Sequence, residues 1–261
     1  FAELEARLAD SDKEALASVI FADKPEDEEY SLEQALACIR ALEEAGVADN
    51  TVIIYTSDNG FLCGSHGYAS KVLPYEESSR VPLIIYDPRH GNPGRGRRCG
   101  ALTGNVDIAP TLLDLANVPV PPDMDGRSLV PLYADPSGEV HEHLPLINVW
   151  GPSPVHSLSI VTRDWKYVFW SYGAGEFVPV EELYNTRNDP LELSNVILNP
   201  ENAEVLSALR RNYDEAVATW RREAVPYHRY REFGVLFDRN LSWPEKMARL
   251  KEPGQREEVE P

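Results

Sequence analysis

The sequence is poor in basic residues and in long apolar runs, and each shortage excludes a class of partner. Its 261 residues contain 25 Lys and Arg against 43 Asp and Glu, which gives a formal net charge of −18. Nucleic acid and anionic membranes both call for a basic surface. No apolar run approaches the roughly 18 residues that span a bilayer. We therefore expect no nucleic-acid partner and no membrane segment.

Cysteine is scarce and irregularly spaced. The chain has Cys38, Cys63 and Cys99, which form neither a zinc pattern nor a disulfide framework. Cysteine content of this kind is typical of proteins in a reducing compartment. The chain opens at Phe1 without an initiator Met and without a signal-peptide pattern, so we expect it to follow processing or to lie within a longer protein. Any signal peptide would lie upstream, and the compartment, cytoplasmic or periplasmic, stays undecided.

The first half of the chain alternates helical and strand patterns. Apolar residues recur at helical spacing after Ser31 and again over Val106–Asn117. Between them, Thr51–Thr56 and Val81–Tyr86 are continuous apolar runs rich in β-branched residues. Such runs are typical of strands buried on both faces of a parallel sheet between helix layers. The order of elements predicts an α/β layer.

The second half has a different pattern, with short strand candidates followed by one long helix. The helix is predicted over Glu201–Arg222 and would cover one side of a small antiparallel sheet. The strand candidates are Leu146–Trp150, Ser157–Thr162, Trp165–Trp170 and Glu182–Tyr184.

Asp58 and Asn59 directly follow the first predicted strand. Functional residues of open α/β sheets collect at the carboxyl ends of strands. A carboxylate beside an amide oxygen suits a hard cation such as calcium or magnesium. Asp-Asn-Gly is equally a strong turn signal, so an Asx-turn without a metal is the alternative interpretation.

His66 and Lys71 lie in the polar stretch that follows. A Lys beside an oxygen-ligated cation can hold an anionic oxyacid group, and a His can donate to the same group or order the loop. The alternatives are an exposed Lys without a ligand and a His that packs on the loop.

Several segments taken together carry a family resemblance. In chain order they resemble the C-terminal half of type I sulfatases, the formylglycine-dependent enzymes of the alkaline phosphatase superfamily. The segments are Thr51–Gly60, Gly64–Gly67, Lys71, Tyr75–Ile84, Val106–Asp114, Asp125–Leu129, Arg163–Tyr167 and Glu182–Glu192.

The resemblance implies an α/β fold in which part of an alkaline-phosphatase-like mixed sheet is sandwiched by helices. A small C-terminal antiparallel sheet with a packed helix would follow. On this basis residues 1–138 would be the C-terminal part of the catalytic domain and 139–225 a small α+β subdomain. Residues 226–261 would be a C-terminal extension that is partly mobile.

The resemblance also implies roles for the candidate residues. Asp58 and Asn59 correspond to a pair of ligands for a divalent cation, usually calcium. Lys71 corresponds to the lysine that contacts the sulfate, and His66 to a loop histidine that lines the site, so both are expected as catalytic and substrate-binding residues. The expected substrate is a sulfated small molecule or carbohydrate.

One part of the family's active site is missing from the sequence. The motif Cys-x-Pro-x-Arg or Ser-x-Pro-x-Arg, whose first residue becomes the formylglycine nucleophile, does not occur in the 261 residues. We expect the nucleophile and the remaining acidic metal ligands upstream of Phe1. The chain alone is therefore expected to lack sulfatase activity.

Two other functions stay open. A phosphonate monoester or phosphodiester hydrolase of the same superfamily shares the metal, the formylglycine and the following lysine. Asn59 favours the sulfatase, because these hydrolases tend to have His at that position. A truncated, non-catalytic protein that binds an anion or a partner is the other alternative. A homo-oligomer is also open, since it could cover apolar strand edges.

Overall fold

The computed structural model of the protein describes residues 37, 39–90, 96–227 and 229–250. The chain divides into two compact units. The first comprises the residues up to Lys71 together with Glu77–Val140, and the second comprises Val72–Glu76 together with the residues from His141 onward. No helix in the described ranges is long and apolar enough to cross a membrane. All four candidate site residues fall in the first unit.

The part of the chain up to Val140 combines short helices with a two-stranded sheet. Residues 37 and 39–44 are helical as well. The strands are β1 (Ile53–Thr56) and β2 (Leu83–Tyr86), and the α-helices are α1 (Glu76–Ser79), α2 (Ile108–Leu115) and α3 (Pro131–Ala134). Short 3-10 helices form at Ala48–Asn50, Ser65–Gly67 and Asn105–Asp107. Strand β1 ends directly before the polar stretch that carries the candidate site.

The pairing of β1 with β2 corrects one expectation. The two strands are antiparallel, with Ile54 opposite Ile85, rather than parallel neighbours. Their side chains are half-buried or exposed in the described part of the chain, and Tyr55 is 42% exposed. A run of β-branched residues reports that a strand forms, but it carries no information on the direction of its partner.

The second unit contains an antiparallel meander and the longest helix. Strands β3 (Leu144–Asn148), β4 (Ser157–Val161), β5 (Lys166–Trp170) and β6 (Val180–Tyr184) pair in chain order. Helix α4 (Ala203–Glu223) follows, and then α5 (Tyr230–Leu236) and α6 (Trp243–Leu250). The antiparallel sheet and its covering helix agree with the prediction from the sequence.

The core of the second unit lies between one face of this sheet and α4. Residues at alternate positions of a strand share one face of the sheet, and residues three or four apart share one face of a helix. The core forms where these two faces pack together. The ring of Tyr213 lies edge-on to Tyr167 at 5.4 Å and to Phe169 at 5.7 Å, and its hydroxyl donates to the carbonyl of Phe237 at 2.7 Å. The remaining core residues are Leu158, Ile160, Leu183, Leu206, Leu209 and Val217.

The residues after α4 include two helices that were not predicted from the sequence. Helices α5 and α6 form within 226–250, and the side chain of Phe237 is 1% exposed in the core. The expected mobility falls on residues 251–261, which lie outside the described part of the chain. The domain limits set out above remain predictions.

Candidate active site

The turn after β1 presents the two predicted metal ligands. Oδ1 of Asp58 accepts a hydrogen bond from the Asn59 backbone N–H at 2.8 Å. Nδ2 of Asn59 donates to the carbonyl of Gly60 at 2.8 Å. The donor group of Asn59 is thus engaged locally, and its amide oxygen is the atom suited to a cation. The turn geometry and a metal-binding role are compatible here, because these two hydrogen bonds use Oδ1 of Asp58 and Nδ2 of Asn59, whereas a cation would bind Oδ2 of Asp58 and Oδ1 of Asn59.

The loop that carries His66 has an unusual backbone. Three residues other than glycine have positive φ angles within a short stretch, namely Cys63 at 44°, His66 at 55° and Ser70 at 114°. Backbone hydrogen bonds close the loop, including Leu62 N–H to Ser70 O and Gly64 N–H to Tyr68 O, both at 2.9 Å. Such conformations cost free energy and cluster at functional sites. The loop is therefore held in one defined, strained shape.

Contacts to α1 fix the remainder of this stretch. Nε2 of His66 lies 3.7 Å from Oε2 of Glu77. The Gly60 N–H donates to the carbonyl of Ser78 at 2.9 Å, and the Ser78 hydroxyl donates to the carbonyl of Lys71. The backbone approach at Gly60 is so close that a Cβ atom there would lie 2.1 Å from Glu77 O. Lys71 is exposed, so its ammonium group is accessible to an anion.

Asn105 is a residue of this site that sequence reasoning missed. Its Nδ2 donates to the carbonyl of Ser57 at 2.9 Å and to that of Asp58 at 3.3 Å. Asn105 lies 47 positions after Asp58 in the chain, and nothing in the local sequence points to the contact. It immediately precedes the segment Val106–Asp114, which the resemblance singled out.

Three charged residues of the segments that carry the resemblance, Glu76, Arg80 and Asp107, are predicted from the sequence to form a structural ion-pair network. Glu76 does form an ion pair, with Lys166 at 2.8 Å within the second unit. Asp107 is fully buried and accepts hydrogen bonds from the backbone N–H groups of Gly104 and Arg127. Arg80 is exposed.

The donor set at Asp58 and Asn59 fits part of the coordination sphere of a hard cation. Calcium takes six to eight oxygen ligands, and magnesium takes about six, often with several waters. Within the ranges that the structure describes, no group of three or more His, Cys, Asp and Glu side chains converges. The two oxygens are therefore suitable in kind but too few to form a complete site by themselves.

Comparisons with known proteins identify the family of the chain. Residues 64–219 match the model of the family N-sulphoglucosamine sulphohydrolase, C-terminal. The chain is 35% identical over 185 residues to an N-acetylglucosamine-6-O-sulfatase of Bacteroides thetaiotaomicron. The aligned region covers 67% of this chain and 31% of the relative. The chain thus spans about a third of the length of that curated relative.

Solved structures show the same likeness. A protein in complex with its substrate D-glucosamine-2-N,6-O-disulfate matches with a TM-score of 0.64 and 31% identity, over 74% of this chain and 39% of that one. The phosphonate monoester hydrolase of Agrobacterium radiobacter matches with a TM-score of 0.55 and 29% identity. The match covers 69% of this chain and 39% of that one. The likeness confirms the predicted α/β fold class. The chain belongs to the N-sulphoglucosamine sulphohydrolase C-terminal family.

Proposed function

We propose that the protein carrying this chain hydrolyses sulfate esters, and that this chain supplies one side of the active site. The observation that carries the proposal is the turn at the end of β1. It presents the oxygens of Asp58 and Asn59 and leads through a hydrogen-bonded loop to the exposed Lys71. This arrangement lies in a chain whose relatives are sulfatases.

Asp58 and Asn59 would hold a divalent cation, and calcium is the ion that we propose. When bound, the cation would lower the free energy of negative charge on the sulfate oxygens. The carboxylate of Asp58 would supply the charge, and the amide oxygen of Asn59 would add a neutral ligand. Because no group of three or more His, Cys, Asp and Glu side chains converges among the described residues, the pair would contribute to the site without completing it.

Lys71 would bind the sulfate group of the substrate. An ammonium group offers three rotatable N–H donors and a point charge to an oxyanion. It would stabilise most strongly the charge that develops on the sulfate oxygens as the ester bond breaks. The Ser78 hydroxyl fixes the Lys71 carbonyl, so the side chain extends from an ordered backbone.

His66 would line the site and order the loop. Its left-handed backbone and its approach to Glu77 at 3.7 Å keep the ring in one place. In that position the imidazole can donate a hydrogen bond to a substrate oxygen. We assign no proton transfer to it.

The substrate class that we propose is a sulfated amino sugar. The relative from Bacteroides thetaiotaomicron is an N-acetylglucosamine-6-O-sulfatase, and one structural neighbour is bound to a disulfated glucosamine. The reaction also needs a nucleophile. This chain carries no Cys-x-Pro-x-Arg or Ser-x-Pro-x-Arg motif, so we propose that a formylglycine in another part of the protein supplies it.

The test compares variants of the full-length gene product on an aryl sulfate and on N-acetylglucosamine 6-sulfate. Lys71→Ala and Asp58→Ala should each lower kcat/KM by about 100-fold or more, since loss of one charge-stabilising donor costs that much. Arg211→Ala, which changes an exposed residue on α4, is the control and should retain full activity. Wild-type activity that survives both site variants would refute the proposal.

The structural likeness to a phosphonate monoester hydrolase favours one second candidate. The two functions differ in the preferred ester. A sulfatase should hydrolyse an aryl sulfate with a higher kcat/KM than the matching aryl phosphonate monoester. The reverse order would assign the protein to the second class.

A further inference from the structure

Two segments beyond the candidate site form one rigid hydrogen-bonded group. We call it the 104–129 brace, meaning residues 104–111 together with residues 126–129. At its centre is the buried carboxylate of Asp107. Oδ2 accepts from the Gly104 N–H at 2.9 Å, and Oδ1 accepts from the Arg127 N–H at 2.8 Å. Hydrogen bonds to an ionised acceptor are about twice as strong as neutral ones. The carboxylate therefore joins the two segments firmly.

Further contacts stiffen the brace. The buried Thr111 hydroxyl donates to the Asp107 carbonyl at 2.6 Å and accepts from the Leu129 N–H at 2.9 Å. A Cβ atom on Gly126 would lie 1.9 Å from the Val106 carbonyl oxygen, so the two backbones are in direct contact there. The motifs Val106–Asp114 and Asp125–Leu129 thus form a single support for the turn that begins at Asn105.

Asn105 is the exposed tip of the brace. Its Nδ2 reaches the carbonyls of Ser57 and Asp58, the two peptide groups that flank the Asp58 side chain. These two hydrogen bonds fix the backbone on both sides of the Asp58 Cα. They therefore fix the direction in which the Asp58 side chain points. Asn105 achieves this without adding charge beside the carboxylate.

We propose that Asn105 is a positioning residue for the cation held by Asp58 and Asn59, and that the 104–129 brace exists to present it. This inference rests on the proposed function, since it requires a cation at that turn. Groups that orient a metal ligand typically change metal affinity by about 10- to 100-fold when they are removed. The brace thereby gives a role to the motifs Val106–Asp114 and Asp125–Leu129.

The experiment measures calcium affinity in the full-length gene product. Asn105→Ala removes the donor, and Asn105→Asp keeps the shape but places a carboxylate against the two carbonyls. Asn188→Ala is the matched control, because Asn188 is exposed and its side chain makes no hydrogen bond among the described residues. Each protein is freed of metal with a chelator and titrated with calcium chloride by calorimetry. Sulfate-ester hydrolysis is then followed against calcium concentration.

The expected result is a Kd for calcium about 10-fold higher in N105A than in the control, and higher still in N105D. Saturating calcium should restore kcat in N105A, and the melting temperature of the metal-free protein should match that of N188A. Equal Kd values, or a loss of kcat that calcium does not restore, would overturn the inference while leaving the sulfatase proposal intact. A wild-type protein that hydrolyses sulfate esters with no dependence on calcium would overturn the cation assignment and this inference with it.

Discussion

The ammonium group of Lys166 lies 2.9 Å from Oε1 of Glu192, and both side chains are completely buried. The same ammonium lies 2.8 Å from Oε1 of Glu76 and donates to the carbonyl of Pro74 at 2.8 Å. Oε2 of Glu192 accepts the Glu76 backbone N–H at 2.7 Å. Two carboxylates therefore share one buried cation within the second unit, and the cation is what makes their burial tolerable.

Removal of that cation should be strongly destabilising. Lys166→Met removes the ammonium group that both carboxylates contact, and the side chain of Glu192 is completely buried. We expect the free energy of unfolding to fall by about 3–5 kcal/mol, the range for breaking a buried ion pair from one side. Chemical denaturation followed by circular dichroism measures it.

The matched control is the double variant Lys166→Met/Glu192→Gln. It removes one charge of each sign and should recover a large part of the lost stability. A single variant within about 1 kcal/mol of the wild type would show that the site admits water and that the pairs contribute as little as exposed ones do.

The same site predicts a pH dependence. Burial raises the pKa of Glu192 above its ordinary value, although Lys166 opposes the shift. The folded state therefore binds this proton more tightly than the unfolded chain. The resulting stability is fully present below the ordinary pKa of 4.5 and is lost as the pH rises through the raised value. Stability of Glu192→Gln relative to the wild type should therefore improve as the pH rises from 4.5. A difference that stays constant to pH 8 would contradict this.

The backbone contact at Gly126 predicts a steric effect. In Gly126→Ala the new Cβ would meet the Val106 carbonyl oxygen at 1.9 Å and its carbon at 2.4 Å, and both are backbone atoms that cannot rotate away. We expect a loss of about 1–3 kcal/mol, as for other overpacked sites. Gly175→Ala is the comparison, because a Cβ there meets nothing within 4 Å and only its φ of +65° is unfavourable. Equal losses in the two variants would refute the steric explanation.

Patterns local in sequence predicted the C-terminal half well. The apolar residues at alternate positions of β4 and the helical spacing along α4 each mark one apolar face, so the sheet and its covering helix could be predicted from the residues. That the opposite faces of β4 and β5 are buried as well was not predicted. The strand direction of β1 and β2 could not be read, because a uniformly apolar run does not record which way its partner runs.

Some residues of the candidate site could be predicted from the sequence and others could not. Asp58, Asn59, His66 and Lys71 lie on one continuous stretch, and a contiguous motif made them recognisable. Asn105 reaches the Asp58 carbonyl from 47 positions away, and Lys166 meets Glu76 from 90 positions away. Such contacts depend on how distant segments fold together, and a single sequence holds no pattern that pairs them.

Lys246 on α6 is a buried cation of another kind. Its side chain is 0% exposed, and its Nζ lies 4.9 Å from the centre of the Phe169 ring. The ammonium has no hydrogen-bond partner among the described residues. Burial lowers the pKa of Lys246 to about 8, although the nearby Asp238 carboxylate opposes the shift. An attraction to one aromatic face offsets only part of the desolvation cost.

The sign of the resulting pH effect follows from the lowered pKa. The unfolded chain keeps the Lys246 proton up to pH 10.5, whereas the folded state releases it near pH 8, so stability should rise between these values. Lys246→Met removes the charge and keeps the length, and it should stabilise the protein by about 1–3 kcal/mol at pH 7. This advantage should shrink as the pH rises from 8 to 10.5. Arg249→Met, at an exposed position on the same helix, is the control. Its stability relative to the wild type should not change between pH 8 and 10.5. Destabilisation by Lys246→Met at pH 7 would mean that the cation and the Phe169 ring attract each other more strongly than burial opposes the charge.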